Sequence, residues 1–237
     1  MSSTVLYQGK AKNVHSTEKV NELRLEYLDQ ATALNGKKKD EVIGKGCLNN
    51  QITSYIFSYL SKRGVAHHWL EQLSKNEQLV KKVEIIPLEV VLRNIATGSF
   101  VKRLGVEEGK ILPFPIIEFY YKDDALDDPF INEAHIKFLK IASEEEVAFL
   151  KEEALKINTL LQELFNEIGI TLVDFKLEFG KDETGHIILS DEITPDTCRL
   201  WDKETGESLD KDIYRKDLGE IVPVYEEILK RLQERGE

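Results

Sequence analysis

Charged side chains alternate with apolar ones in the segment 171–179. In an extended strand, successive side chains point to opposite sides of the sheet, so Asp174, Lys176 and Glu178 share one face. A lysine there lies between two carboxylates, and carboxylate oxygens are ligands for hard cations. This face is therefore a candidate for chemistry on charged substrates.

A polar loop, 180–185, separates this segment from a second β run, 186–193, and predicts a hairpin. If Glu178 pairs near Ile187, Asp191 falls on the same charged face, and the two carboxylates leave room for magnesium bridging nucleotide phosphates. The alternative is the solvated outer face of a half-buried sheet, because any amphipathic strand alternates in this way. The pattern alone leaves both interpretations open.

Two further groups of residues suit anions. Gly9, Lys10 and Lys12 lie in a predicted turn that could cover a triphosphate, although no P-loop motif is present and an ordinary basic hairpin is the alternative. The second group consists of arginines, lysines and a serine near two turns: Arg93, Ser99, Lys102, Arg103, Arg199, Lys211 and Arg215. Guanidinium groups bind carboxylates and phosphates well, but surface salt bridges would give the same composition.

Composition limits the class of protein. The 237 residues are 41% hydrophobic and 32% charged, which favours a compact, enzyme-sized fold over disorder. The net charge of -11 argues against a general nucleic-acid or membrane surface but allows a local basic pocket. The first 13 residues lack the apolar core of a signal peptide, and no stretch approaches the ~20 apolar residues of a membrane span, so we expect a cytoplasmic protein.

Histidine and cysteine give no catalytic pattern. Cys47 and Cys198 are far apart without metal-ligand spacing, which favours ordinary reduced thiols. His67 and His68 lie in a predicted strand, and we expect them to be structural because no nucleophile or metal pattern accompanies them.

The secondary structure that must position these residues can be read from periodicity. Short β segments within 5–28 predict a small antiparallel sheet, 35–39 predicts a polar loop, and an apolar stripe within 46–64 predicts a helix. Dense β-branched residues within 79–96 predict two strands with a bend at Pro87. The segment 143–168 predicts a helix with a capping box at Ser143 and Glu146, and 218–232 predicts another helix.

Read in order, the motifs resemble those of the SAICAR synthetase family, in its short bacterial type. The resemblance runs through LYQGKAK (6–12), NGKKK (35–39), GKGCLNN (44–50), PLEVVLRN (87–94), GSFVKR (98–103), VDFKLEFG (173–180) and DEITPDTCRLWD (191–202). Gln8, Gln51 and Thr97 depart from the residues common in the family. These segments cover nearly the whole chain, and their joint occurrence at family-like spacing is specific to this family.

The resemblance implies an α+β enzyme and a homodimer. An N-terminal β-rich nucleotide subdomain, 1–86, and a larger α+β C-terminal subdomain, 87–237, would hold ATP in the cleft between them. The positions that match the nucleotide contacts of the family are Lys10, Lys12, Lys82, Glu84, Ile85, Lys122 and Lys176. The magnesium ligands are Glu178 and Asp191, which with Lys176 form the catalytic group. The contacts to the ribotide substrate, 5-amino-1-(5-phosphoribosyl)imidazole-4-carboxylate, are Arg93, Ser99, Arg199, Lys211 and Arg215.

The implied reaction joins L-aspartate to 5-amino-1-(5-phosphoribosyl)imidazole-4-carboxylate at the expense of ATP. A carboxylate is a poor acyl donor, so we expect its phosphorylation first, followed by attack of the aspartate amine on an acyl phosphate. A small-molecule kinase, another carboxylate-amine ligase or a noncatalytic nucleotide-binding module would share many of these residues. ADP release separates them, because a binding module shows none and a kinase shows it without aspartate.

Overall fold

The computed structural model describes residues 4–33 and 38–236. Its strands are β1 (Val5–Gln8), β2 (Lys12–Ser16), β3 (Glu22–Tyr27), β4 (Gln30–Ala33), β5 (Lys38–Glu41), β6 (Trp69–Gln72), β7 (Glu77–Lys81), β8 (Glu84–Ile95), β9 (Ile111–Tyr121), β10 (Phe130–Ile131), β11 (Ile170–Lys181), β12 (Ile187–Ser190) and β13 (Cys198–Asp202). Its α-helices are α1 (Lys45–Ser61), α2 (Gly98–Leu104), α3 (Glu133–Leu139), α4 (Glu144–Glu167), α5 (Asp212–Arg215) and α6 (Ile221–Arg235). The predicted α+β class is confirmed.

The N-terminal strands form an antiparallel sheet in the order β1-β2-β3-β7-β6, as the short β segments predict. The β1–β2 turn carries Gly9 and Lys10, and the N–H of Gly9 donates to the carbonyl of Lys12 at 2.8 Å. Strands β4 and β5 pair separately as a hairpin. Of the predicted polar loop, 35–37 lies outside the described residues, whereas Lys38 and Lys39 begin β5.

The second sheet has the order β10-β9-β8-β11-β12, and β13 also pairs with β11. The predicted bend at Pro87 is wrong, because β8 runs through this residue. The interruption between the two strands lies earlier, at Lys82 and Val83. Proline is tolerated because it lies at the end of the β8–β9 ladder, one residue before Leu88 pairs with Tyr121, where its carbonyl still accepts from the N–H of Lys122 at 3.0 Å. The predicted boundary between 86 and 87 falls within β8, and that division stays a prediction.

The register predicted for the β11–β12 hairpin is also wrong. Glu178 pairs with Ser190, and Ile187 pairs with Lys181. The second strand ends at Ser190 rather than at residue 193, because Asp191 adopts a φ of 59° and leaves the ladder. His67 and His68 precede β6, so their predicted strand is wrong as well, although His67 forms an isolated bridge with Leu189.

The helices cover the sheets and close the core. The predicted helix at 143–168 is confirmed as α4, which packs its apolar stripe, including Leu150 and Leu161, against β8 and β11. The predicted helix at 46–64 is α1, which packs on α6. Helix α6, which the sequence predicts over 218–232, begins at Ile221, three residues after the predicted start. No helix among residues 4–33 and 38–236 is long and apolar enough to cross a membrane.

The capping box of α4 is present in both directions. The N–H of Glu146 donates to the hydroxyl of Ser143 at 3.2 Å, and the N–H of Ser143 donates to the Glu146 carboxylate at 2.8 Å. Ser143→Ala removes one of these acceptors, so we expect the free energy of unfolding to fall by about 1 kcal/mol. Urea unfolding followed by circular dichroism measures it, with Ser61→Ala at the exposed end of α1 as control. Equal stabilities of the two variants would contradict this role.

Candidate active site

A cleft of about 420 Å³ opens between the β1–β2 turn, the polar face of β8 and β11, and the chain from Asp191 to Arg199. Lys10 lines it on one side, Lys176 and Asp191 lie on its floor, and Arg199 lies at the other end. The charged face predicted for 171–179 therefore faces a cleft. The solvated-face alternative is wrong, because Asp174 and Glu178 are each only 4% exposed.

Lys176 is the centre of a group of carboxylates on this floor. Its ammonium donates to Glu178 at 2.6 Å and to Glu89 at 3.1 Å, and it lies 3.5 Å from Asp191. Burial alone would lower the pKa of Lys176, but the surrounding carboxylates raise it well above its ordinary value. Lys122 adds a second cation, 2.8 Å from Glu178. The structure thus brings together the three predicted catalytic residues despite the different hairpin register.

Lys12 connects the β1–β2 turn to the same group. Its ammonium lies 2.5 Å from Asp191 and 3.2 Å from Glu192. Burial alone would raise the pKa of Asp191, but Lys12 and Lys176 outweigh this effect and hold the pKa well below its ordinary value. Both lysines therefore face a permanently ionised carboxylate.

The backbone of Asp191 is held in an unusual conformation. Its φ of 59° is in the left-handed region, which non-glycine residues adopt rarely and which often marks functional sites. His68 lies against it, with Nε2 3.0 Å from the carbonyl oxygen of Asp191. Burial, followed by the nearby Lys12 charge, lowers the pKa of His68 to about 3, so the ring is neutral and Nε2 carries the proton it donates. His68 has the structural role expected for it.

The donor set suits magnesium. Glu178 and Asp191 both contact Lys176 and present oxygen ligands, and Mg²⁺ in nucleotide sites commonly uses one or two carboxylates together with phosphates. Within the described part of the chain, no cluster of three or more His, Cys, Asp or Glu side chains could hold a metal on its own. The two carboxylates therefore fit a metal that a phosphate ligand helps to hold.

The arginine groups converge on Asp174. Arg93 donates to Asp174 at 2.7 Å and also to Glu118 and Ser99, at 2.7 and 3.1 Å. Arg199 donates to the two oxygens of Asp174 at 2.8 and 3.2 Å. The hydroxyl of Thr97, one of the departures from the family pattern, donates to the same carboxylate at 3.0 Å. The sequence placed Asp174 on the charged face but gave no signal that it would join both arginines.

Gly98 is required by the packing of this group. Its φ is 55°, and a Cβ atom at this position would lie 2.7 Å from Nη2 of Arg199. Only glycine accommodates both the backbone conformation and the close guanidinium. Ser99 follows at the start of α2. Lys102 and Arg103, which the sequence grouped with these residues, do not line the cleft; Arg103 instead pairs with Glu118.

Lys211 and Arg215 flank the outer end of the cleft, on and beside α5. Lys211 lies 3.3 Å from Asp196, and Arg215 lies 2.8 Å from Asp212, which also contacts Arg199 at 3.2 Å. The carboxylates Asp196 and Asp212 were not predicted as site residues. Asp196 lies within the motif at 191–202 and Asp212 directly follows Lys211, but only the fold shows that they pair with cations of the cleft.

The predicted adenine-side contacts do not line this cleft, whereas Lys10 does. Lys82, Glu84 and Ile85 are at the junction of β7 and β8 and do not line the cleft. β11 comes close to this junction: a Cβ atom on Gly180 would lie 2.6 Å from the side chain of Val83, so glycine permits the approach. Lys10 does line the cleft and is paired with Asp124 at 2.6 Å. Cys47 and Cys198 are both free thiols.

Comparisons with known proteins agree with this geometry. Residues 5–232 match the sequence model of SAICAR synthetase. Phosphoribosylaminoimidazole-succinocarboxamide synthase from Listeria innocua is 57% identical over 234 residues, which is 99% of each chain. The crystal structure of the enzyme with this name from Ehrlichia chaffeensis is 46% identical, with a TM-score of 0.95 over 97% of this chain and 98% of that one.

A type-2 structure of SAICAR synthetase in complex with ADP is 47% identical to this chain. Its TM-score is 0.93, with coverage of 95% of this chain and 96% of that one. The match extends over nearly the full length in sequence and in structure. The chain therefore belongs to the SAICAR synthetase family.

Proposed function

We propose that this chain joins L-aspartate to 5-amino-1-(5-phosphoribosyl)imidazole-4-carboxylate, forming the succinocarboxamide, ADP and phosphate in de novo purine (IMP) biosynthesis. The observation that carries the proposal is the order of charges on β11. Lys176 and Glu178 meet the lysine-rich part of the cleft, and Asp174, on the same face, meets the arginines. A phosphate-transfer region and a second anion site are thus adjacent, as ligation of a phosphorylated carboxylate requires.

The nucleotide is assigned to the lysine-rich side. The ADP complex of a related enzyme supports ATP as the phosphate donor. Lys10, Lys12, Lys122 and Lys176 would contact its phosphates, and Lys82, Glu84 and Ile85 would lie on the adenine side. Lys12 and Lys176 are well placed for this role because their charges are held by buried carboxylates and need no rearrangement to meet a phosphate.

The ribotide is assigned to the arginine side. Its contacts would be Arg93, Ser99, Arg199, Lys211 and Arg215. Arg93 is 3% exposed and held by Glu118 and Asp174, so its role is to fix the position of Ser99 and of the cleft wall as well as to supply charge. The side chain of Arg199 is more exposed than that of Arg93, so its guanidinium group can contact an anion in the cleft.

Glu178 and Asp191 would hold Mg²⁺, which neutralises charge on the transferred phosphoryl group when bound. Around it, Lys12 and Lys176 would orient the γ-phosphate, and Arg199 would orient the ribotide. The substrate carboxylate attacks the γ-phosphorus, and ADP leaves. The aspartate amine then attacks the acyl carbon, phosphate leaves with one former carboxylate oxygen, and the amine nitrogen loses a proton. Catalysis in this scheme is positioning and electrostatic stabilisation, without a covalent protein nucleophile.

We further propose a cytoplasmic homodimer in which segment 1–86 supplies most nucleotide contacts and segment 87–237 carries the metal and substrate sites. The two large sheets support a division close to this one, since the first sheet uses strands up to β7, which ends at Lys81, and the second uses strands from β8, which begins at Glu84. Light scattering after gel filtration tests the dimer.

The metal assignment predicts that Glu178→Gln and Asp191→Asn each lower kcat by roughly 10²-fold or more, because each removes one anionic oxygen ligand with little change in shape. Steady-state rates across a magnesium titration measure it. The control is Glu89→Gln, which removes another carboxylate from Lys176 but no proposed metal ligand, and should keep the wild-type magnesium dependence. Unchanged turnover of both first variants at limiting magnesium would exclude the assignment.

The ribotide assignment predicts that Arg199→Lys raises the KM for the ribotide by roughly tenfold or more and leaves the KM for ATP nearly unchanged. Lysine keeps the charge but loses the planar fork that contacts two acceptors at once. Arg63→Lys, on the face of the Tyr59 ring and outside the cleft, is the control. Equal changes in both KM values, or a change for ATP alone, would place Arg199 elsewhere in the mechanism.

The acyl-phosphate order predicts the fate of an oxygen atom. Ribotide labelled with ¹⁸O in its carboxylate should give labelled inorganic phosphate, because one carboxylate oxygen leaves when the amine displaces the acyl phosphate. Adenylation would instead transfer the label to AMP. Mass spectrometry of phosphate and nucleotide products distinguishes the two, and unlabelled phosphate together with ADP would argue against both intermediates.

A further inference from the structure

Asp196 lies at the centre of a buried cluster of which the scheme above uses only Lys211. Its Oδ2 atom accepts from Lys45 at 2.6 Å and from Lys211 at 3.3 Å, and its Oδ1 atom accepts from the Tyr225 hydroxyl at 2.5 Å. These partners come from the start of α1, the residue before α5, and α6. One carboxylate therefore joins three separate elements beside the cleft.

The charges in this cluster do not balance. Two ammonium groups share one carboxylate oxygen, and among residues 4–33 and 38–236 neither lysine has a second carboxylate at ion-pair distance. The side chain of Lys45 is fully buried, whereas that of Lys211 is 10% exposed and lines the cleft. Glu192 also interacts with the charge of Lys45, but its carboxylate is held by Lys12 at 3.2 Å, so Lys211 is the member of the cluster whose charge faces the cleft.

The place of Lys45 in the fold argues against a purely stabilising role. It is the first residue of α1, whose first turn contains no acidic side chain, so its charge is at the positive end of the helix dipole. Burial of an ammonium group is also costly, and a buried ion pair is weak support for stability. The position of Lys45 is therefore better explained by its effect on neighbouring groups.

Lys45 competes with Lys211 for Asp196. The contact of Lys45 is shorter by 0.7 Å, the difference between 3.3 and 2.6 Å, so the carboxylate is engaged mainly by Lys45. Burial lowers the pKa of Lys211. Asp196 raises this pKa, but the like charges of Lys45 and Arg215 offset part of that increase. Lys211 is thus an incompletely neutralised cation at the wall of the cleft.

We propose that Lys45 is a positioning residue for substrate binding: by engaging Asp196 from the interior, it keeps the charge of Lys211 available to the anionic ribotide. The inference rests on the proposed function for the identity of the anion. Without Lys45, Lys211 would form a full ion pair with Asp196 and attract the substrate less. The role of Lys45 is therefore exerted through Lys211, without contact with substrate.

The test is Lys45→Met, with ribotide binding measured by isothermal titration calorimetry in the absence of ATP and aspartate. Asp196 keeps Lys211 and Tyr225 as partners in this variant, so no buried charge is left unpaired. We expect a Kd for the ribotide about tenfold higher than in the wild type, and an unchanged Kd for ADP. Lys45→Gln, which can still hydrogen-bond to Asp196, should show the same loss because it lacks the charge.

Two comparisons separate this role from a general structural one. Tyr225→Phe removes another partner of Asp196 but no charge, so its ribotide Kd should stay within about twofold of the wild type. In a Lys211→Met background, Lys45→Met should add little further loss, because its effect passes through Lys211. An unchanged Kd in both Lys45 variants, a loss in Tyr225→Phe as large as theirs, or full additivity with Lys211→Met would overturn the inference. Failure of the wild type to bind ribotide would instead overturn the proposed function.

Discussion

The structure depends on charged side chains buried along one face of β11. Asp174 and Glu178 are almost inaccessible to solvent, and a buried charge is tolerated only when it is paired. Lys176 on the same strand meets Glu178, and the remaining partners come from elements distant in sequence. Arg93 on β8 and Arg199 on β13 meet Asp174, and Lys122 after β9 meets Glu178. The same pairing that makes burial possible assembles the cleft.

The cleft also reconciles an acidic protein with anionic ligands. The net charge of -11 describes the whole chain, but substrates respond to the local arrangement of cations in a low-dielectric groove. Lysines and arginines there are already fixed by carboxylates, so they need little reorganisation when a phosphate binds. Local preorganisation therefore matters more than total charge.

Backbone geometry refines the position of individual groups. The left-handed conformation of Asp191 directs its carboxylate towards Lys12 and Lys176, while neutral His68 contacts the carbonyl of the same residue. Gly98 allows the guanidinium of Arg199 to lie directly against the backbone. The left-handed backbone of Asp191 and the close contact at Gly98 both lie at the cleft, where the surrounding ion pairs hold these groups in place.

Local signals along the chain are enough to predict several elements, and the motifs point to the family that the comparisons show. The capping box and apolar period define α4, and the charged alternation of β11 identifies a face that lines a cleft. Pairing, in contrast, is visible only in the folded chain: the hairpin register at Glu178, the continuity of β8 through Pro87, and the contact of Lys45 with Asp196. Periodicity reports which face of an element is polar, whereas register and ion-pair partners depend on long-range packing that no single segment contains.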